Sequence, residues 1–220
     1  MELSDKKSPE KKRSYHHGDL RTALIESALD IIAELGPRKL TIREVAFRAG
    51  VSHAAPYRHF KDKNELINAV VARGFELLQE TMAQELSSAG DDALAAFAAS
   101  GRAYLAFGLN YPGYYGVMFS GDLLDPDGSQ TLQHTSHAAF EQMKATLIDC
   151  QKLGILPKAD PSLQAVWIVS TVHGYISLVN ENRLNALVGN NHSMSEVQDY
   201  IVSAIFQGLG GSTPDVLPKK

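Results

Sequence analysis

At 220 residues, 44% hydrophobic and with a formal net charge of −4, the chain has room for one small module and one larger domain. A single cysteine, Cys150, excludes an internal disulfide and fits a reducing compartment. No stretch approaches the ~18 uninterrupted apolar residues of a membrane span, and the polar N-terminus has no signal-peptide apolar run, so the expected location is the cytoplasm, with no membrane contact.

Residues 1–14, MELSDKKSPEKKRS, have almost no apolar content and read as a disordered arm. Lys11, Lys12 and Arg13 suit an arm that reaches a minor groove or phosphates, and equally a solvated tail. Tyr15 to Asp19 introduces the first helix; His16 and His17 are adjacent, point apart and have no third ligand after them. From Leu20 to Leu35 the residues Leu20, Ala23, Leu24, Ala28, Ile31, Ile32 and Leu35 form a helical apolar stripe, which Gly36-Pro37 stops. Thr41 and Glu44 stand three apart before an apolar run, a capping box that starts a short helix from Ile42 to about Ala49. Gly50 ends it, since glycine takes the left-handed conformation at no steric cost. Ser52 is the expected N-cap of a second short helix, His53 to Phe60, with Pro56 in its first turn. Asp62 and Glu65 make another capping box and start a third helix. Helix, glycine turn, helix is the helix-turn-helix unit, whose second helix is shaped for the DNA major groove.

The residues are more specific than the spacing. Thr41-Ile42, Val45-Ala46, Ala49-Gly50-Val51-Ser52, Tyr57, His59-Phe60-Lys61, Lys63 and Glu65-Leu66 resemble the DNA-binding domain of the tetracycline-repressor (TetR) family of transcriptional regulators, over about residues 18–70. The resemblance implies phosphate contacts by Tyr57, His59 and Lys63, and Thr41 is similar to the family's phosphate-contacting cap. Arg43, Arg48, Arg58 and Lys61 are further candidates. A recognition helix enters the groove by its N-terminal residues, so His53, Ala54 and Ala55, with Ser52 ahead of them, are the candidates for base edges. His53 can hydrogen-bond a purine and the alanines can touch a thymine methyl, with DNA shape contributing. Tyr57 also reads as a core ring packed on Phe60, and Thr41 and Ser52 as caps alone. Charge agrees with contact through the N-terminal part: residues 1–65 hold 13 Lys+Arg against 10 Asp+Glu (+3), the remainder 8 against 15 (−7), together −4.

The helix begun at Asp62 continues through Leu66, Val70, Leu77, Leu78 and Met82 to about Leu86, and joins the 15–65 head to a second domain over 88–210, with 211–220 as a tail. That second domain reads as helical throughout. Asp91-Asp92 starts one helix; Tyr104, Phe107, Tyr111, Tyr114, Tyr115, Met118 and Phe119 then form the densest aromatic cluster in the chain. Such rings suit a largely apolar ligand cavity and also an ordinary core. Gly121–Ser129 reads as a loop and a natural gate. On the next helix, from about Gln130 to Leu153, His134, His137 and Glu141 share a face at metal-ligand spacing, a weak metal candidate that also suits a polar face. Pro161 to about Leu187 reads as one long apolar helix. Its Trp167 with His173-Gly174 is similar to a C-terminal domain named for its Trp, His and Gly in one branch of the family. Ser195 is the expected cap of a last helix ending at Gly208.

The expected protein is therefore all-α, about nine helices, with an N-terminal helix-turn-helix domain and a larger helical domain. No nucleophile–base pair, metal box or phosphate loop marks an enzyme, and no cofactor is expected. The resemblance implies a homodimer through helices at about 161–187 and 195–208, bound to palindromic operator DNA and released by a small, mainly apolar effector. The candidate effector-facing residues are Tyr104, Phe107, Tyr111, Tyr115, Met118, Phe119, Phe140, Met143, Trp167, Thr171 and His173. An activator, a ligand-independent regulator and a less specific DNA-architectural protein are the alternatives.

Overall fold

The computed structural model describes residues 20–36, 39–120, 130–189 and 191–211. The basic arm, the 15–19 entry, the 121–129 loop and the tail past 211 lie outside them. Among the described residues the chain is helical, with α1 (Leu20–Leu35), α2 (Ile42–Arg48), a 3-10 turn (Pro56–Arg58), α3 (Lys63–Ser87), α4 (Ala93–Asn110), α5 (Pro112–Met118), α6 (Gln130–Lys152), α7 (Pro161–Asn180), α8 (Leu184–Val188) and α9 (Met194–Gly208).

Short polar side chains start most of these helices. Thr41 Oγ1 accepts from Glu44 N–H at 3.1 Å. Asp62 Oδ1 accepts from Glu65 N–H at 2.9 Å, while the Glu65 carboxylate accepts from Lys61 N–H rather than closing the expected box on Asp62. Asp92 and Asp160 each hold two backbone N–H groups at the starts of α4 and α7. Each such cap satisfies donors that the first turn leaves unpaired. Gly50 takes φ +69 directly after α2, as a helix C-terminus requires.

Three sequence expectations are corrected. The second short helix, His53 to Phe60, is instead a turn running into a 3-10 segment: Ala55 N–H donates to Ser52 O and His59 N–H to Pro56 O. Pro56 has no N–H to give to Ser52 O four residues back, so the chain closes on i→i+3 bonds there, and Ser52 does not cap by its side chain. The helix expected over 161–187 breaks after Asn180; Asn182 adopts φ +56, a conformation asparagine tolerates better than most residues, and α8 restarts at Leu184. The last helix is capped by Ser193, not Ser195, in a full capping box with Glu196.

The long α3 is the spine. It packs on α1 at one end and on α4, α5 and α6 along its length. Phe60 is fully buried with Leu24, Ile31, Val45 and Leu66 in the core of the head. Two glycines set close helix approaches. A Cβ on Gly74 would fall 2.5 Å from Met118 Sδ, bringing α5 onto α3. One on Gly108 would fall 2.5 Å from Ile176 Cδ1, and Asn180 Nδ2 donates to Gly108 O beside it, so α4 and α7 lie close. By length and composition α7 could cross a membrane, with a mean hydropathy of 1.3, yet its Ala165, Ile168, Val172, Tyr175 and Ile176 are buried inside this fold.

Candidate functional site

The head presents one continuous polar surface. Thr41 and Arg43 lie on α2; Ser52, His53, Ala54, Tyr57, Arg58, His59 and Lys61 follow along the turn and 3-10 segment, and all of these are exposed. Ala55 and Lys63 are half-buried at its edge. Tyr57 is 60% exposed, which removes the reading of its ring as core; Phe60 and Pro56 fill that role instead. Arg48 is engaged within the head: its Nη2 donates to Glu34 Oε2 at 2.8 Å, tying α2 to α1. That hydrogen bond holds the Glu34 carboxyl below its ordinary range and the Arg48 guanidinium above its own. The sequence reading missed Phe47, which stands exposed one turn beyond Arg43 on α2. Its position outside the apolar stripe was the available signal.

The second domain holds a half-open cavity of about 190 Å³. Its walls are Phe75, Leu78 and Met82 from α3, Tyr104 from α4, Phe119 after α5, Ser136, Ala139, Phe140 and Met143 from α6, and Val169 from α7. Of the residues singled out from sequence, Tyr104, Phe119, Phe140 and Met143 line it; the α3 wall was not anticipated as a wall, although its Leu78 and Met82 belong to the expected stripe. The rest lie elsewhere. Phe107 and Met118 are buried in the core. Tyr115 stands behind the wall, where its Oη and His173 Nδ1 are hydrogen-bonded at 2.8 Å and the two rings stack at 5.5 Å. Burial pushes the Tyr115 phenol well above its ordinary range. His173 is thus a satisfied, packed histidine. Tyr111 is exposed, Thr171 donates its hydroxyl to Trp167 O, and Trp167 lies on the outer face of α7 with its ring against Gly208.

That outer face is apolar and uncovered. Leu163 (70% exposed), Val166 (54%) and Trp167 lie on α7 with Ser170 and Gly174 along the same side, and Tyr200 (75%), Ala204 and Gly208 continue it on α9. Together they form an exposed, mainly apolar face with small residues where another helix could approach.

Head and cavity are joined through α5. Tyr114 Oη donates to Glu26 Oε1 on α1 at 2.8 Å, and Gly113 sits against Leu29. The next turn of α5 leads to Phe119 in the cavity wall. Tyr114→Phe should cost about 1 kcal/mol, a fall of roughly 2–4 °C in Tm at matched protein concentration. An unchanged Tm would show that the contact does not brace the two parts.

The metal candidate is not assembled. Among the described residues no three His, Cys, Asp or Glu side chains converge. His134 and His137 are exposed, and Glu141, 3.9 Å from His137, is ion-paired with Lys144.

Comparison with known proteins places this geometry. Residues 24–70 match the family model described as bacterial regulatory proteins, tetR family, and residues 97–198 match a tetracyclin repressor-like C-terminal domain. The latter description does not carry the Trp-His-Gly resemblance further. An HTH-type transcriptional repressor of Mycobacterium tuberculosis is 38% identical over 53 residues, 24% of this chain and 28% of that protein. The match to such curated relatives spans well under half of their length. Among solved structures, a Rhodococcus protein of unknown function superimposes over 90% of this chain and 99% of its own, at TM-score 0.76 and 28% identity. The TetR family transcriptional regulator PfmR of Thermus thermophilus shares the fold over 87% and 96%, at TM-score 0.64 and 17% identity.

Proposed function

Because this chain belongs to the tetR family of bacterial regulatory proteins, we propose that it is a homodimeric repressor that binds a palindromic operator in the cytoplasm and is released by a small apolar effector. The observation that carries the reading is the head: an exposed strip from Thr41 to Lys61 on a helix-turn-helix frame, with no other described element packed over it. His53 and Ala54 reach base edges, while Tyr57, His59, Arg43, Arg58, Lys61 and Lys63 hold phosphates. The turn at Pro56 makes the reading element short, so direct readout is confined to a few base pairs. Gel-shift of DNA flanking the protein's own gene against a scrambled duplex, over a salt series, tests this. Equal, weak affinity for both duplexes would reject the operator reading.

Within that reading the contacts divide. His53→Ala should lose preference at one operator position, worth about 1–3 kcal/mol, with non-specific binding retained. Tyr57→Phe should weaken every sequence alike. If His53→Ala lowers affinity uniformly instead, His53 is a phosphate contact.

The cavity supports the effector step. Its walls come from α3, which carries the head, and from Phe119, next to the α5 contact with α1. A ligand that wedges α3 and α5 apart changes the spacing of the two heads. Tenfold release needs ~1.4 kcal/mol of preference for the released arrangement. The apolar face of α7 and α9 supports the dimer, two helices from each copy.

A further inference from the structure

The cavity has a buried floor and a rim made mostly of rings. Leu78, Met82, Ala139 and Met143 are buried at the floor, with the ring of Tyr104 among them. The partly exposed wall residues, Phe75, Phe119, Ser136, Phe140 and Val169, mark its open side. None of these residues is charged. The two hydroxyls in the wall are engaged elsewhere. Ser136 Oγ donates to Gln133 O at 3.1 Å. Tyr104 Oη is fully covered and engages the Tyr115 hydroxyl, which is itself bonded to His173 Nδ1 at 2.8 Å behind the wall. Burial pushes the Tyr104 phenol up to about 12, so the wall is neutral at physiological pH. What the wall presents to a ligand is carbon and sulfur: phenylalanine rings, two thioethers and aliphatic side chains. Lys144 stands outside the lining, 5.7 Å from the centroid of the Phe140 ring, and Glu141 matches its charge.

We infer that the cavity binds a neutral hydrocarbon, an alkylbenzene or a small fused-ring body, without a hydrogen bond to the protein. The inference deepens the effector reading of the same cavity and rests on it for the consequence to DNA, though not for the binding. Size follows from volume: an engineered cavity of roughly 150 Å³ already holds benzene, so 190 Å³ suits about ten non-hydrogen atoms. Phe75, Phe119 and Phe140 can meet an aromatic body by edge or face, and the sulfurs of Met82 and Met143 pack well on a ring. A polar group on the ligand gains no partner in this wall. Burying an unpaired hydroxyl weakens binding by about tenfold, and an unpaired carboxylate or ammonium costs far more. Among compounds of one size the wall therefore selects by polarity: it admits an alkylbenzene and refuses the matching alcohol, acid and amine.

Four compounds that share a phenylpropyl body test this by calorimetric titration of the full-length protein at neutral pH: n-propylbenzene, 3-phenyl-1-propanol, 3-phenylpropanoate and 3-phenylpropylammonium. n-Propylbenzene should bind tightest, the alcohol about tenfold more weakly, and each ion at least about a hundredfold more weakly. Ala139→Phe should weaken n-propylbenzene binding at least about tenfold, because a ring built on the buried floor takes the ligand's space. Circular dichroism shows whether that variant is folded, and the ranking, read on the unaltered protein, decides by itself. The alcohol or either ion binding as tightly as the hydrocarbon, no binding by any of the four, or undiminished hydrocarbon binding in folded Ala139→Phe would overturn the inference. A gel-shift with n-propylbenzene run alongside separates the two claims: selective binding with unchanged DNA affinity upholds the cavity's chemistry and defeats the effector reading.

Discussion

Phe60→Ala should abolish operator binding while leaving most of the helical protein intact. Phe60 is fully buried at the point where the 3-10 turn meets α3, with the Arg21 guanidinium 5.6 Å from its ring centroid. Its ring packs in the core that holds Leu24, Ile31, Val45 and Leu66, so it is the anchor from which Tyr57, Arg58 and His59 are presented. Truncating a buried phenylalanine costs about 3–5 kcal/mol. The head is only three short elements plus the start of α3, and that loss is a large share of what a small unit can hold. The residues proposed to touch DNA are not themselves altered, so the effect reaches DNA only through their positions. We expect operator affinity to fall at least about a hundredfold, the low end of that cost in binding terms. Circular dichroism should retain most of the helix signal, because most helical residues lie in α4, α6, α7 and α9, which pack chiefly on α3 and on one another. Operator affinity within threefold of the unaltered protein would show that the turn is held by Pro56 and α2 alone.

The head was legible because its signals are local. Thr41 with Glu44, Asp62 ahead of Glu65 and Gly50 after α2 are short-range chemistry, and each appears where the sequence places it. Pro56 was legible too, but its consequence was underestimated: four residues past Ser52 its missing N–H falls where the first α-helical bond would form. At the last helix the sequence offered two serines. Glu196 lies three residues after Ser193, so the capping-box rule itself selects Ser193 over Ser195. The cavity was harder, for a physical reason. Periodicity tells which side of a helix is apolar, not which neighbour that side meets. The aromatic cluster after Tyr104 therefore divided in a way no spacing reveals. Tyr104 and Phe119 face the cavity, Phe107 and Met118 fill the core, and Tyr115 turns to His173. Phe75, Leu78 and Met82 were assigned to a linking helix, yet they make one whole wall. Trp167, singled out as a pocket residue, packs outward against Gly208 because that glycine leaves space for its ring.

The double variant Val166→Glu with Tyr200→Glu should be a folded monomer with at least about a hundredfold weaker operator binding. Both side chains are largely exposed on the single chain, at 54% and 75%, so the substitutions remove little from the fold of one copy. If α7 and α9 pair across a two-fold axis, each substitution appears twice in the interface, and four carboxylates would have to be buried without partners. The cost of the pairing then exceeds what an apolar surface of this kind returns. Small positions along the same stripe, Ser170 and Gly174 on α7, Ala204 and Gly208 on α9, are where the partner's helices would come closest. In the proposed dimer, operator binding depends on the pair because the second head engages at an effective concentration in the millimolar range once the first is bound, a gain of about 10²–10⁴ that separate monomers forgo. Light scattering across micromolar concentrations reads the assembly state and gel-shift reads the affinity. A variant that stays dimeric would place the interface on another face. A variant that is monomeric yet binds the operator undiminished would mean that each head acts alone, and that the ligand cavity cannot work by altering the distance between two heads.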